Sequence, residues 1–164
     1  MIADGRGVLL RGMGKVTSEF FTHLAAYEER PEIQAVVHAH PPMCTALTLA
    51  GLDMKRPVLP ELVAAVGGVP RCPYATPGTQ EGADAIRELI RDADALLLDR
   101  HGALTVGLSL LDAYYKMEKI EHAAAIILAA LPHGAPQRLT AEQLSRVVIA
   151  RTRYGAKGKM GPLG

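Results

Sequence analysis

Apolar positions along the chain switch between two periods, and the switches mark its elements. Residues 33–40, Ile-Gln-Ala-Val-Val-His-Ala-His, form a β-rich run expected as a central strand. Pro41-Pro42 stop that strand and open a helix to about residue 50, with Gly51 as its C-cap. Upstream, Phe20, Phe21, Leu24, Ala25 and Tyr27 give a broad helical face over residues 19–30. Ser18 is the expected N-cap of this helix, and Pro31 its stop. Residues 93–98 read as a buried strand, residues 103–106 continue extended, and Gly107 turns the chain. Ser109 then caps a long helix that ends near Leu131-Pro132.

Turn chemistry predicts the rest. Residues 1–16 read as a hairpin, with Gly5, Gly12 and Gly14 as turn residues. Residues 61–66 form a short helix or strand closed by Gly67-Gly68, and residues 69–74 an edge strand broken by prolines. Thr79 closes the turn Thr76-Pro77-Gly78-Thr79 and caps a helix over residues 80–91. Thr140, followed three residues later by Gln143, fits a capping box and opens a last helix to about residue 153. Residues 154–164 hold four glycines and are expected to be a mobile tail. Strands and helices alternate, which predicts one layered α/β domain over residues 1–164.

Composition narrows the function classes. The 18 Lys and Arg residues nearly balance 17 Asp and Glu residues, leaving a net charge of +1. That balance removes the usual electrostatic case for a nucleic-acid or membrane-surface protein. No apolar run approaches the roughly 20 residues a membrane span needs. Cys44 and Cys72 are too few for a disulfide framework, so a reducing cytoplasm is the expected compartment and both read as small core residues.

The histidines carry the candidate chemistry. His38 and His40 lie two apart on a strand, so their side chains point to the same face. Taken alone the pair reads either as metal ligands or as a surface or core pair. His101 ends a second predicted strand and is followed by Gly102, at the kind of strand end where α/β sheets place their sites. Three imidazoles with one open position make a catalytic rather than a structural zinc set, and imidazole also suits other divalent transition metals. Glu19 stands at a helix start, where the dipole favours a carboxylate. Thr17 and Ser18 beside it could cap the helix or bind a phosphate. On the long helix, Glu118, Glu121 and His122 read as a solvated face, with a metal pair of Glu118 and His122, four residues apart, as the lesser alternative.

These residues resemble the class II aldolase/adducin family. The matching blocks are Thr17-Ser18-Glu19, residues 30–42, residues 59–79, residues 95–107 and residues 113–124, in the family's order over nearly the whole chain. The resemblance implies a three-layer α/β/α fold with a central, mostly antiparallel sheet. It implies His38, His40 and His101 as metal ligands, with zinc the leading cofactor. Glu19 would be the catalytic acid/base and an additional metal ligand when no substrate is bound. Thr17 and Ser18 match part of a substrate-phosphate site, and Tyr154 matches a C-terminal proton-donating tyrosine. The implied reaction is retro-aldol cleavage of a ketose 1-phosphate, fuculose 1-phosphate-like, to dihydroxyacetone phosphate and an aldehyde by enediolate stabilisation. The implied partners are a small sugar phosphate and further copies of the chain in a homotetramer. A sugar-phosphate epimerase, a dehydratase and an adducin-like binding module without catalysis are the alternatives. The family's N-terminal segment, with its Gly-Asn-x-[Ser/Thr] phosphate loop, has no counterpart here, so a short form of the domain is expected. Arg100, beside His101, either reaches a substrate anion or points outward.

Overall fold

The computed structural model describes residues 1–153 and 158–164. The chain opens with a small antiparallel hairpin of β1 (Ile2–Ala3) and β2 (Leu9–Arg11). Its turn is made by Asp4, whose carboxylate accepts from the backbone N–H of Arg6 at 2.9 Å and of Val8 at 3.0 Å. There follow α1 (Phe20–Glu29), β3 (Ala35–Ala39), α2 (Pro42–Leu49), α3 (Pro60–Ala65), β4 (Arg71–Cys72) and α4 (Gln80–Ile90). Next come β5 (Ala95–Leu98), β6 (Gly102–Gly107), α5 (Leu110–Ala130), a 3-10 turn (Leu131–His133) and α6 (Ala141–Arg153).

The main sheet has four strands in the order β3-β6-β5-β4. β6 is antiparallel to both its neighbours, and β4 is parallel to β5. Thus β3, β5 and β4 all run the same way and deliver their C-terminal ends to one end of the sheet. β5 is a continuous apolar run because both its faces are covered. Ala95 and Leu97 pack with Leu47 of α2, Leu62 of α3 and Ile120 of α5. Leu96 and Leu98 pack on the other face with Ala25 of α1 and Ile86 of α4. This period-two division produces the three layers. Fully burying a leucine such as Leu96 or Leu97 is worth about 1.5–3 kcal/mol. No helix among the described residues is long and apolar enough to cross a membrane.

Several local expectations are corrected. Ser18 does not cap α1: Glu19 is the N-cap residue, without a side-chain cap bond. The Thr17 hydroxyl instead accepts from the backbone N–H of Glu19 at 3.3 Å. Thr79 does not cap α4 through its side chain, because its hydroxyl donates to the Thr76 carbonyl at 2.7 Å. His101 lies in the turn between β5 and β6, since the loop has already reversed there: its N–H donates to the Leu98 carbonyl at 3.1 Å. The capping box is present: Thr140 N–H donates to Gln143 Oε1 at 2.8 Å, and Gln143 N–H to Thr140 Oγ1 at 3.2 Å. Of residues 154–164, expected as a mobile tail, the described part, 158–164, lies back along the body. Gly68 N–H donates to the Gly161 carbonyl at 3.0 Å, Gly161 N–H to Val66 at 2.8 Å, and Gly164 N–H to Lys55 at 3.1 Å.

Candidate metal and catalytic site

The site forms where β3 ends, β5 ends and β6 begins. His38 is the penultimate residue of β3, paired with Leu104, and His40 follows one residue after the strand. Their rings are 5.1 Å apart, centroid to centroid. The β5–β6 turn brings His101 to 4.8 Å from His38 and 4.7 Å from His40 on the same measure. One ligand nitrogen from each residue lies within 4.8 Å of the others, close enough to share one ion. Among the described residues no other group of three or more metal-ligating side chains is so placed.

The hydrogen bonding of His38 matches a metal ligand. Its Nδ1 sits 2.9 Å from the Ala103 carbonyl, which fixes the proton on Nδ1 and leaves Nε2 as a lone-pair donor. Nε2 is buried without a partner, and it is the one such side-chain atom among the described residues. A buried nitrogen left unsatisfied costs roughly 1–3 kcal/mol, which a bound cation removes. Burial holds His38 and His101 below the ordinary imidazole pKa, against the opposing pull of the Glu19 charge. Both are therefore kept neutral, as a ligand must be.

Backbone detail assembles the cluster. A Cβ on Gly102 would collide with the Ala39 carbonyl oxygen and crowd His40 Cα and Cδ2 at 3.1 Å each. The glycine after His101 is thus what lets the β6 end approach His40. Arg100 takes φ +57°, the one non-glycine residue in the left-handed region among those described. Its backbone N–H is anchored on Thr48 Oγ1 at 3.0 Å. Its side chain is largely exposed, and its Nε lies 4.0 Å from Asp99. It is the outward-pointing alternative that the structure favours.

Glu19 enters from the N-cap of α1. Its charge acts on His23, His38 and His101, and it lines with Thr22, Thr76, Asp99 and His101 a cavity of about 20 Å³. Such a volume holds about one water. Thr17 and Ser18 are exposed just before it, under the turn of Gly78, whose Cβ would meet Ser18 Cβ at 3.5 Å and Glu19 Oε1 at 3.9 Å. Tyr154 lies outside the described residues. Sequence reasoning missed His23, half-buried with its ring centroid 6.4 Å from that of His38 in an edge-on packing. The signal was its position one helical turn after Glu19. Burial, then the neighbouring His38, lowers the pKa of His23. Glu118 accepts from the Tyr114 hydroxyl at 2.8 Å, and neither it nor His122 belongs to a group of three or more metal-ligating side chains among the described residues.

This fold is a three-layer α/β domain with a cluster of three histidines, able to hold one metal ion, at the end of the sheet where β3 and β5 finish. The Class II Aldolase and Adducin N-terminal domain family matches residues 1–128, and the chain belongs to that family. It is similar to L-fuculose phosphate aldolase of Escherichia coli K12, at 32% identity over 165 residues, covering 95% of this chain and 76% of the relative. It is also similar to 3-oxo-tetronate 4-phosphate decarboxylase of the same strain, at 41% identity over 117 residues, covering 69% of this chain. The chain spans 55% of the length of that decarboxylase. Among solved structures, an L-fuculose 1-phosphate aldolase superposes with a TM-score of 0.82 at 30% identity, covering 92% of this chain and 70% of the other. A putative aldolase/epimerase/decarboxylase from Escherichia coli gives 0.78 at 36% identity, covering 88% and 71%.

Proposed function

We propose that the chain is a metal-dependent lyase that breaks the carbon–carbon bond beside the carbonyl-bearing end of a phosphorylated sugar. In the leading reading the substrate is a ketose 1-phosphate, cleaved to dihydroxyacetone phosphate and an aldehyde. The observation that carries it is the orphaned, buried Nε2 of His38 within a three-histidine cluster whose His38 and His101 feel the Glu19 charge. His38, His40 and His101 would hold the ion. A divalent cation there, zinc first among the candidates, would supply a Lewis acid that stabilises the negative charge left beside the carbonyl when the bond breaks. Glu19 moves the proton at the carbon that keeps the electron pair when the bond breaks. Thr17 and Ser18, exposed beside Glu19, offer hydroxyls to the phosphate. Tyr154 would take the second proton-transfer role, at the aldehyde oxygen.

The 41% identity to a decarboxylase favours a second reading. Loss of carbon dioxide from a 3-oxo sugar acid phosphate also leaves an electron pair beside the ketone, and Glu19 would again protonate that carbon. The readings differ at the leaving group: an aldehyde oxygen must surrender its hydroxyl proton to a second base, whereas carbon dioxide leaves without that step. Purified protein is expected to bind about one divalent ion per chain, and His38→Ala to lose it. Zinc-loaded protein is then given fuculose 1-phosphate and 3-oxo-tetronate 4-phosphate. Both yield dihydroxyacetone phosphate, but only the second yields carbon dioxide. Metal binding that survives in His38→Ala sinks the site, and loaded protein that releases neither product sinks the lyase reading.

A further inference from the structure

We propose that Glu121 is a positioning residue for His40, holding the start of α2 so that this imidazole stays aimed at the cluster. The proposal rests on the metal reading above. His38 is held by its bond to the Ala103 carbonyl. His40 has no such support: it is the exposed member of the three, and no hydrogen bond to its ring occurs among the described residues. Its position is therefore set by the backbone on either side. On the upstream side the ladder ends at the pair Ala39–Ala103, one residue earlier. On the downstream side Pro41 and Pro42 lead into α2, and Pro41, at the N-cap, has no side chain that can satisfy the helix's free N–H groups.

Glu121, from the middle of α5, fills that gap. Its Oε1 accepts from the backbone N–H of Met43 at 3.0 Å, and its Oε2 from that of Cys44 at 2.9 Å. Each carboxylate oxygen takes one amide, and the negative charge sits at the positive end of α2. Only the two prolines separate His40 from Met43, and their rings fix φ, so a shift at Met43 is passed on to His40 rather than absorbed. Neighbouring residues of α5, Ile120 and Ala124, are fully buried in the core, so the carboxylate is mounted on a rigid element. The link thus runs from the core through Glu121 and the first turn of α2 to the one ligand that burial does not hold.

The test is cobalt binding by the full chain, read by visible absorption and by competition with a chelator, well below every variant's unfolding midpoint. Glu121→Ala is expected to weaken binding by about 10–100-fold and to alter the cobalt spectrum. Glu121→Gln, which keeps one oxygen acceptor, is expected to fall between it and the wild type. Glu118→Ala, one turn away on the same helix, is expected to bind as the wild type does. A folded Glu121→Ala protein with wild-type affinity and spectrum overturns the proposal, because Glu121 then only caps a helix. Should Glu121→Ala fail to fold, wild-type affinity in Glu121→Gln overturns it equally. Wild-type protein that binds no cobalt overturns the metal reading itself, and this proposal with it.

Discussion

The two ends of the four-stranded sheet treat buried polar groups in opposite ways. At the end where β3 and β5 finish, the His38 Nε2 atom is buried and unpartnered beside two more imidazoles. At the other end, where β5 begins, Arg30, Asp94 and Lys116 are more than nine-tenths buried and fully paired. Asp94 accepts from Arg30 Nη2 at 2.9 Å and from Lys116 Nζ at 2.8 Å. Arg30 Nη1 also reaches the Ile90 carbonyl at 3.0 Å, and Lys116 Nζ reaches the Val106 carbonyl and the Asp112 carboxylate at 3.0 Å each. A closed network of this kind binds nothing further. An open one presents lone pairs at a fixed place. Charge burial alone therefore does not mark a site, whereas burial with an unsatisfied acceptor does.

The largest effect expected from this contrast is on stability at the closed end. Asp94→Ala leaves a guanidinium and an ammonium buried without their shared partner, a loss of about 3–5 kcal/mol. Urea unfolding should show it, while metal affinity, measured on the fraction that stays folded, should match the wild type. A parallel fall in metal affinity would mean that the two ends are coupled through β5, and the comparison would fail.

Next in size is Gly102→Ala, at the open end. The added methyl would collide with the Ala39 carbonyl and press on His40, an overpacking cost of about 1–3 kcal/mol. Here the pattern should reverse: metal affinity falls by more than the stability change alone would suggest, because the end of β3 and the start of β6 must move apart, carrying His38 and His40 away from His101. Isothermal titration with zinc beside a thermal melt separates the two. Unchanged affinity would show that the close approach of Gly102 to His40 serves packing and not the ligand set.

The same contrast explains what could be read from the sequence. The three histidines were legible because period-two spacing puts His38 and His40 on one face, and because His101-Gly102 punctuates two apolar runs. β5 was legible as an unbroken apolar segment covered on both sides, and β6 as its extended continuation up to the turn at Gly107. Arg30, Asp94 and Lys116 were not, since isolated charges at element boundaries look like surface until the fold closes over them. Glu121 read as part of a solvated helix face, and only the packing of α2 against α5 reveals that its carboxylate faces two amides. The failed caps at Ser18 and Thr79 are local: α1 starts one residue later, with Glu19 at its N-cap, and the Thr79 hydroxyl is turned back to the Thr76 carbonyl three residues earlier.

The smallest expected effect is on acid stability of the metal-stripped protein. Burial lowers the pKa of His23, His38 and His101 from the ordinary value of 6.5. The unfolded chain therefore takes up more protons than the folded one once the pH falls to about 6.5, and stability declines with pH from there down to the lowered folded values. Above that window these residues contribute no slope. Glu29 and Glu32, whose pKa values are lowered by hydrogen bonds from Arg91 and Arg30, titrate below the ordinary 4.5 and so act in a separate, more acidic range. Urea midpoints at pH 7.5, 6.5 and 5.5 measure the slope, which should flatten in His38→Gln because one of the three half-buried imidazoles is gone. A midpoint that rises on acidification would mean that the open end prefers charged imidazoles. In that case its unsatisfied nitrogen would be a proton site and not a place held ready for a metal.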